Sequence, residues 1–180
     1  AIFPLAEVLA HGGVRARGED LLTGGVPCYG IYETADGRHM AVGSLEEKFW
    51  HLTCDTLGRP DLKAAHLATG EEGARAREEV AAIFRSRTQA QWVDVFDTVD
   101  CCVTPVLRLE EAMENPQIVA RGMIQDVEGV RQFAPPVRMS DLEVTAVAAP
   151  FRAGEHSEEL LLALGLGDAD IARLRAAGVI

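Results

Sequence analysis

The sequence predicts an α+β fold, a small domain of antiparallel hairpins packed against helices and flanked by linker helices. Three observations point there. Residues 29–44, "YGIYETADGRHMAVGS", alternate as strands on either side of Asp36-Gly37. From Leu45 the apolar spacing changes to a helical period. Helices, a strand, a second hairpin and more helices then follow in blocks, without the βαβ alternation of a doubly wound sheet.

Each element can be justified in turn. Residues 4–11 read as the end of a helix closed by Gly12-Gly13, and "VRARGEDLLTGGVP" as a glycine-punctuated connector. With Asp36-Gly37 as a two-residue primed turn, Ala35 faces Arg38, Glu33 faces Met40, Ile31 faces Val42 and Tyr29 faces Ser44. Tyr29, Ile31, Met40 and Val42 then share one face. In the helix that follows, Leu45, Phe49, Leu52 and Thr56 form the apolar stripe, which ends at "LGRP". "DLKAAHLA" reads as a short second helix. "EEGARAREEVAAIFRSR" reads as an amphipathic third, facing inward through Val80, Ile83 and Phe84, its charged side a solvated face. Thr88 caps a fourth that buries Trp92, Val95 and Phe96. "CCVTPVLRL" returns to an extended segment that Pro105 cuts short. "EEAMENPQIVARGM" is a helix broken at Asn115-Pro116. "IQDVEGVRQFAPPVRMS" is a second hairpin with an extended Pro-Pro tail, "VAAPFRAGEHS" a linker, and "SEELLLALG" with "DADIARLRAAGVI" a closing helix pair. The expected organisation is a helix end and linker over 1–28, a small domain over 29–146, and a linker with two helices over 147–180.

Composition narrows the function classes. The chain has 180 residues, 48% hydrophobic and 25% charged, with a net charge of −11. That acidic balance argues against nucleic acid as a partner, because phosphate neutralisation needs Lys and Arg. No apolar run reaches the ~18–20 residues of a membrane span, and the start lacks the basic n-region of a signal peptide. A chain opening at Ala1 inside a helix reads as part of a longer one. Cys28, Cys54, Cys101 and Cys102 form no C-x-x-C pair, which implies a cytoplasmic protein with reduced, buried thiols. His11, His39, His51, His66 and His156 are scattered, so no metal site is expected.

Two adjacent carboxylates stand where the first helix begins. Ser44-x-x-Glu47 fits a capping box, with hydroxyl and carboxylate exchanging hydrogen bonds with backbone amides. Glu46, at the second helical position, has two readings. It gains about 0.3–1 kcal/mol from the helix dipole, or it acts as an acid/base beside Trp50 and Tyr29. Burial would raise its pKa and the helix terminus would lower it.

"RGEDLLTGGVPCYGIYETADGRHMAVGSLEEKFW", with "TPVLRLEEAMENPQIVARGM", "PPVRMS" and the ending "GEHSEELLLALGL…IARLRAAGVI", resembles family III CoA-transferases (the CaiB/BaiF family), specifically their α-methylacyl-CoA racemase branch. The resemblance implies that this is the family's small domain with its C-terminal tail, and that the Rossmann-like large domain is not in this chain. It implies an acyl-CoA thioester as substrate, no metal, no covalently bound cofactor, and an interlocked homodimer. It makes Glu46 the catalytic carboxylate of "VG-x-x-E" and places Tyr29 and Leu45 near the acyl portion of the substrate. The branch usually has proline where Glu47 stands here. The implied reaction is proton removal and return α to the thioester carbonyl, completed by groups of the missing large domain, so the isolated chain is expected to be inactive. Two alternatives stay open: transfer of CoA between carboxylic acids, and a non-enzymatic interaction module docking through its terminal apolar helices. Cys54 reads as core, not as a nucleophile, since no histidine supports it.

Overall fold

The computed structural model describes residues 2–13, 15–137, 139–141 and 152–180. It divides into two compact units, Ala1–Leu107 and Arg108–Ile180.

In the first unit, α1 (Ile2–His11) ends at Gly12, whose φ of 75° stops the helix. A connector leads to β1 (Tyr29–Glu33), β2 (His39–Gly43) and α2 (Glu47–Thr56), then to a 3₁₀ helix (Pro60–Ala65) where the sequence suggested a short helix. α3 (Gly70–Phe84), α4 (Gln89–Phe96) and β3 (Val103–Pro105) complete the unit. The sheet order is β1-β2-β3, antiparallel throughout. Thr88 caps α4 in a full capping box with Gln91, and Pro105 closes β3.

The hairpin register differs by one residue from expectation. Tyr29 pairs with Gly43, Ile31 with Ala41 and Tyr32 with Met40. The loop is therefore Ala35-Asp36-Gly37, three residues, with Thr34 N donating to Arg38 O at 2.8 Å and Gly37 at φ 69°. Long-range bonds explain the choice: Asp36 Oδ1 accepts from the amide of Gln89 at the start of α4 (3.1 Å), and Ala35 N donates to Arg87 O (2.9 Å). A one-residue slip exchanges the faces. Tyr32, Met40 and Val42 point into the core, while Ile31 is 67% exposed.

The start of α2 also differs. Glu46 is the N-cap residue, extended at φ −76° and ψ 137°, with no side-chain cap bond, so there is no Ser44–Glu47 capping box. Ser44 is fully buried instead, bonded to Thr53 Oγ1 at 2.8 Å and to Cys101 O at 2.6 Å. The inward stripe is Trp50, Thr53 and Cys54 rather than Leu45, Phe49, Leu52 and Thr56; Leu52 is exposed. The large apolar area of the indole decides which way the helix faces.

The core of this unit joins Met40 and Val42 of the sheet to Trp50, Val80, Phe84, Trp92 and Phe96 of the helices. Phe84 is its centre, with ring centroids 5.3 Å from Tyr32 and 5.1 Å from Trp92. The polar ends of these aromatics are satisfied: Trp50 Nε1 donates to Leu62 O (3.0 Å), Trp92 Nε1 to Phe84 O (2.8 Å) and Tyr32 OH to Pro27 O (2.7 Å).

In the second unit, α5 (Leu109–Glu114) and α6 (Pro116–Ala120) meet at Asn115, whose Oδ1 accepts from Gln117 N at 3.0 Å. β4 (Ile124–Val127) and β5 (Val130–Phe133) form the expected second hairpin. α7 (Ser157–Ala163) and α8 (Asp168–Ala176) are the closing pair, joined by an ion pair between Arg175 and Glu158 at 2.7 Å. Residues 147–151 of the expected linker before them lie outside the described residues. The fold class is α+β, and no parallel doubly wound sheet occurs among the described residues. No helix among them is long and apolar enough to cross a membrane.

Candidate active site

The segment from Gly43 to Glu46 joins β2 to α2, and both ends of it are held. Gly43 N donates to Cys102 O at 2.8 Å. Ser44 then inserts its hydroxyl into the core. Two hydroxyl protons serve three contacts there, since Thr53 Oγ1 also lies 2.9 Å from Phe49 O. The carbonyl of Phe49 already takes a helical amide. Ser44 donates its one proton to Cys101 O, and Thr53 Oγ1, within reach of both Phe49 O and Ser44 Oγ, donates to one of these two.

Leu45 is half-buried against the core. Its carbonyl lies 2.8 Å from His66 Nε2; a carbonyl only accepts, so that ring nitrogen carries the proton. Glu46 follows, its own carbonyl accepting from the amides of Phe49 (2.9 Å) and Trp50 (3.1 Å). The Glu46 side chain is exposed, and among the described residues it makes no hydrogen bond or ion pair. The backbone is fixed on both sides while the carboxylate stays free to meet a ligand. Glu47 points elsewhere, with Oε1 3.7 Å from His51 Nε2 across one helical turn.

The carboxylate–indole neighbourhood anticipated for Glu46 is not formed. Trp50 is fully buried, with its N–H directed at Leu62. Tyr29 sits opposite Gly43 rather than Ser44, one residue farther from Glu46. It lines an open cleft of about 700 Å³ whose lining includes neither Leu45 nor Glu46. His66 was not singled out as a site residue in the sequence, because 21 residues separate it from Leu45 and no local pattern connects them.

The thiols are poor nucleophiles where they are buried. Burial pushes Cys28 up to about 11 and Cys54 up to about 12, and it raises Cys101 as well. Cys102 departs from the expectation of buried cysteines. It is exposed, at φ 60°, because the chain turns there to bring its carbonyl to Gly43.

Comparison with known proteins places these features in a family. The chain is similar to α-methylacyl-CoA racemase from Homo sapiens, 31% identical over 166 residues, covering 91% of this chain and 44% of that protein. It is similar to α-methylacyl-CoA racemase from Mus musculus, 33% identical over 162 residues, covering 89% and 42%. The chain thus spans less than half the length of these relatives. Its fold is similar to the crystal structure of a CAIB/BAIF family protein from Brucella suis, with a TM-score of 0.64 at 19% identity, covering 90% of this chain and 44% of the other. The model of CoA-transferase family III matches residues 3–157, and the chain belongs to that family.

Proposed function

We propose that this chain is the small-domain portion of an acyl-CoA racemase or epimerase, with Glu46 as one acid/base acting on the carbon α to the thioester carbonyl. Residues 29–146 act as the small domain, and 1–28 and 147–180 as flanking segments. The observation that carries the reading is the presentation of Glu46: a carboxylate with no partner among the described residues, on a backbone held from both sides. Identity of about a third to two α-methylacyl-CoA racemases supports the substrate class.

The reaction removes the α-proton and returns one to the opposite face. It therefore needs two groups flanking one carbon, and donors for the enolate oxygen. Glu46 supplies one group. The other belongs to a part of the protein beyond these 180 residues, and the chain alone is inactive. Tyr29 and Leu45 border the acyl portion. The full protein acts as a cytoplasmic homodimer, with the exposed apolar faces of α1 (Leu5, Leu9) and α7 (Leu160, Leu162) covered by the rest of the protein.

A second reading is transfer of CoA between carboxylic acids, favoured by the name of the family model itself. One incubation separates the two. The full-length protein is given an enantiopure 2-methylacyl-CoA in heavy water, with and without a free carboxylate. Deuterium at the α-carbon with loss of stereochemistry is the result expected. CoA passing to the added carboxylate without α-exchange would replace the racemase reading by the transferase one.

A further inference from the structure

We infer that His66 is a positioning residue for Glu46, holding the peptide plane from which that carboxylate is presented. The inference rests on the reading of Glu46 as an acid/base at the α-carbon.

A peptide unit is planar, so its carbonyl and the amide that follows move as one body. Glu46 stands between two such planes, and the direction of its side chain follows from both. The plane after it is pinned by the helix, since Glu46 O accepts from the amides of Phe49 (2.9 Å) and Trp50 (3.1 Å). The plane before it joins the carbonyl of Leu45 to the amide of Glu46. β2 ends at Gly43 and α2 begins at Glu47, so this plane lies outside both elements. Turning it takes only opposite changes in ψ of Leu45 and φ of Glu46, both soft torsions. His66 opposes that turn, with Nε2 donating to Leu45 O at 2.8 Å.

The imidazole is itself carried by a braced element. His66 is the C-cap residue of the 3₁₀ helix Pro60–Ala65, its amide donating to Lys63 O at 3.3 Å. Leu62 and Ala65 of that helix are buried, and the fully buried Trp50 donates from Nε1 to Leu62 O at 3.0 Å. These bonds close a circuit around Glu46. It runs from Glu46 O to the amide of Trp50, from the Trp50 indole to Leu62, and from His66 back to Leu45. The surface pairs Lys63–Asp55 (2.7 Å) and Arg59–Asp61 (2.6 Å) add little to it. Removing the imidazole opens the circuit at the link next to Glu46 and leaves the Trp50 bond in place.

The consequence falls on the rate of the chemical step. An acid/base must come within about 2.6–3.2 Å of the proton it moves, and a displacement of about 1 Å can cost about 10²-fold. Both His66 and Leu45 are half-buried, so water can take the place of a lost ring at the carbonyl with little loss of stability.

The test is α-deuterium exchange into 2-methylacyl-CoA by the full-length protein and its variants, with kcat and KM determined separately and folding followed by thermal unfolding. His66→Phe keeps a ring and removes the donor. It should lower kcat and kcat/KM together by about 10–100-fold, with KM unchanged. Glutamine places its amide nitrogen as many bonds from Cβ as histidine places Nε2, whereas asparagine falls one bond short. His66→Gln should therefore exchange faster than His66→Asn at similar stability, a difference that packing alone would not produce. A wild-type kcat in His66→Phe, a loss confined to KM, or equal rates in His66→Gln and His66→Asn overturns the positioning role. If His66→Phe does not fold, the glutamine–asparagine comparison decides. Glu46→Gln keeps the two claims apart. Its exchange at the wild-type rate, or no exchange by the wild type, removes the reading of Glu46 on which the inference rests. Slow exchange in Glu46→Gln beside an unaffected His66→Phe refutes His66 alone.

Discussion

Ser44 does more for the candidate site than its position in the sequence indicates. Its hydroxyl links the end of β2 to Thr53 of α2 and to the carbonyl of Cys101, 57 residues away. Replacing it by alanine leaves that buried carbonyl without this donor. Ser44→Ala should therefore lower stability by about 1–3 kcal/mol, read as a shift of the urea midpoint at unchanged slope. An unchanged midpoint would mean that the hydroxyl is not part of what holds Glu46 in place. The sequence suggested a different job for Ser44, a cap on the next helix, because Ser-x-x-Glu is a local pattern. The partners it actually uses are distant, and no local pattern could show them. Tyr29 and Glu46 were singled out by motif, and the motif contains no distance; their separation depends on a hairpin register that it does not encode.

That register is settled by Asp36. A two-residue Asp-Gly turn and a three-residue turn ending in glycine suit the same sequence locally. The choice falls to the second because Asp36 bonds both the hydroxyl of Thr34 and the amide of Gln89. The hydrogen bond from Thr34 holds the Asp36 carboxyl below its ordinary value, and the amides of the loop and of Gln89 act the same way. A carboxyl lowered in the folded state stabilises above its unfolded pKa, near 3.9, and loses that contribution as pH falls through the folded value. The wild type should accordingly be more stable than Asp36→Asn at neutral pH, with the gap closing as pH drops below about 4. Thermal unfolding across that range checks it; a gap independent of pH would remove Asp36 from the turn's stabilisation. The features legible in advance were those fixed by neighbours: the Thr88 cap, the Asn115-Pro116 break and the Pro105 stop. The apolar stripe of α2 was misread because Trp50, whose burial orients the helix, belongs to a different periodic set from Leu45 and Phe49.

The 180 residues hold one candidate acid/base, on a chain less than half as long as the racemases it is similar to. Racemisation at a carbon needs groups on both faces, so the purified 180-residue chain should give no α-proton exchange with 2-methylacyl-CoA above the buffer rate. Exchange by this chain alone would require a second acid/base within it. The α+β class was legible because block order and a change of period are global properties of the sequence. The face on which Tyr29 and Ile31 lie was not, because it is set by strand alternation once the register is fixed.

The most direct measurement is α-deuterium incorporation into an enantiopure 2-methylacyl-CoA in heavy water, comparing the full-length protein with its Glu46→Gln variant. The wild type should incorporate deuterium and lose stereochemistry, and Glu46→Gln should slow both by about 10²–10⁴-fold while still binding the thioester. A Glu46→Gln variant exchanging at the wild-type rate would contradict the assignment and leave Glu46 as a charge at a helix terminus.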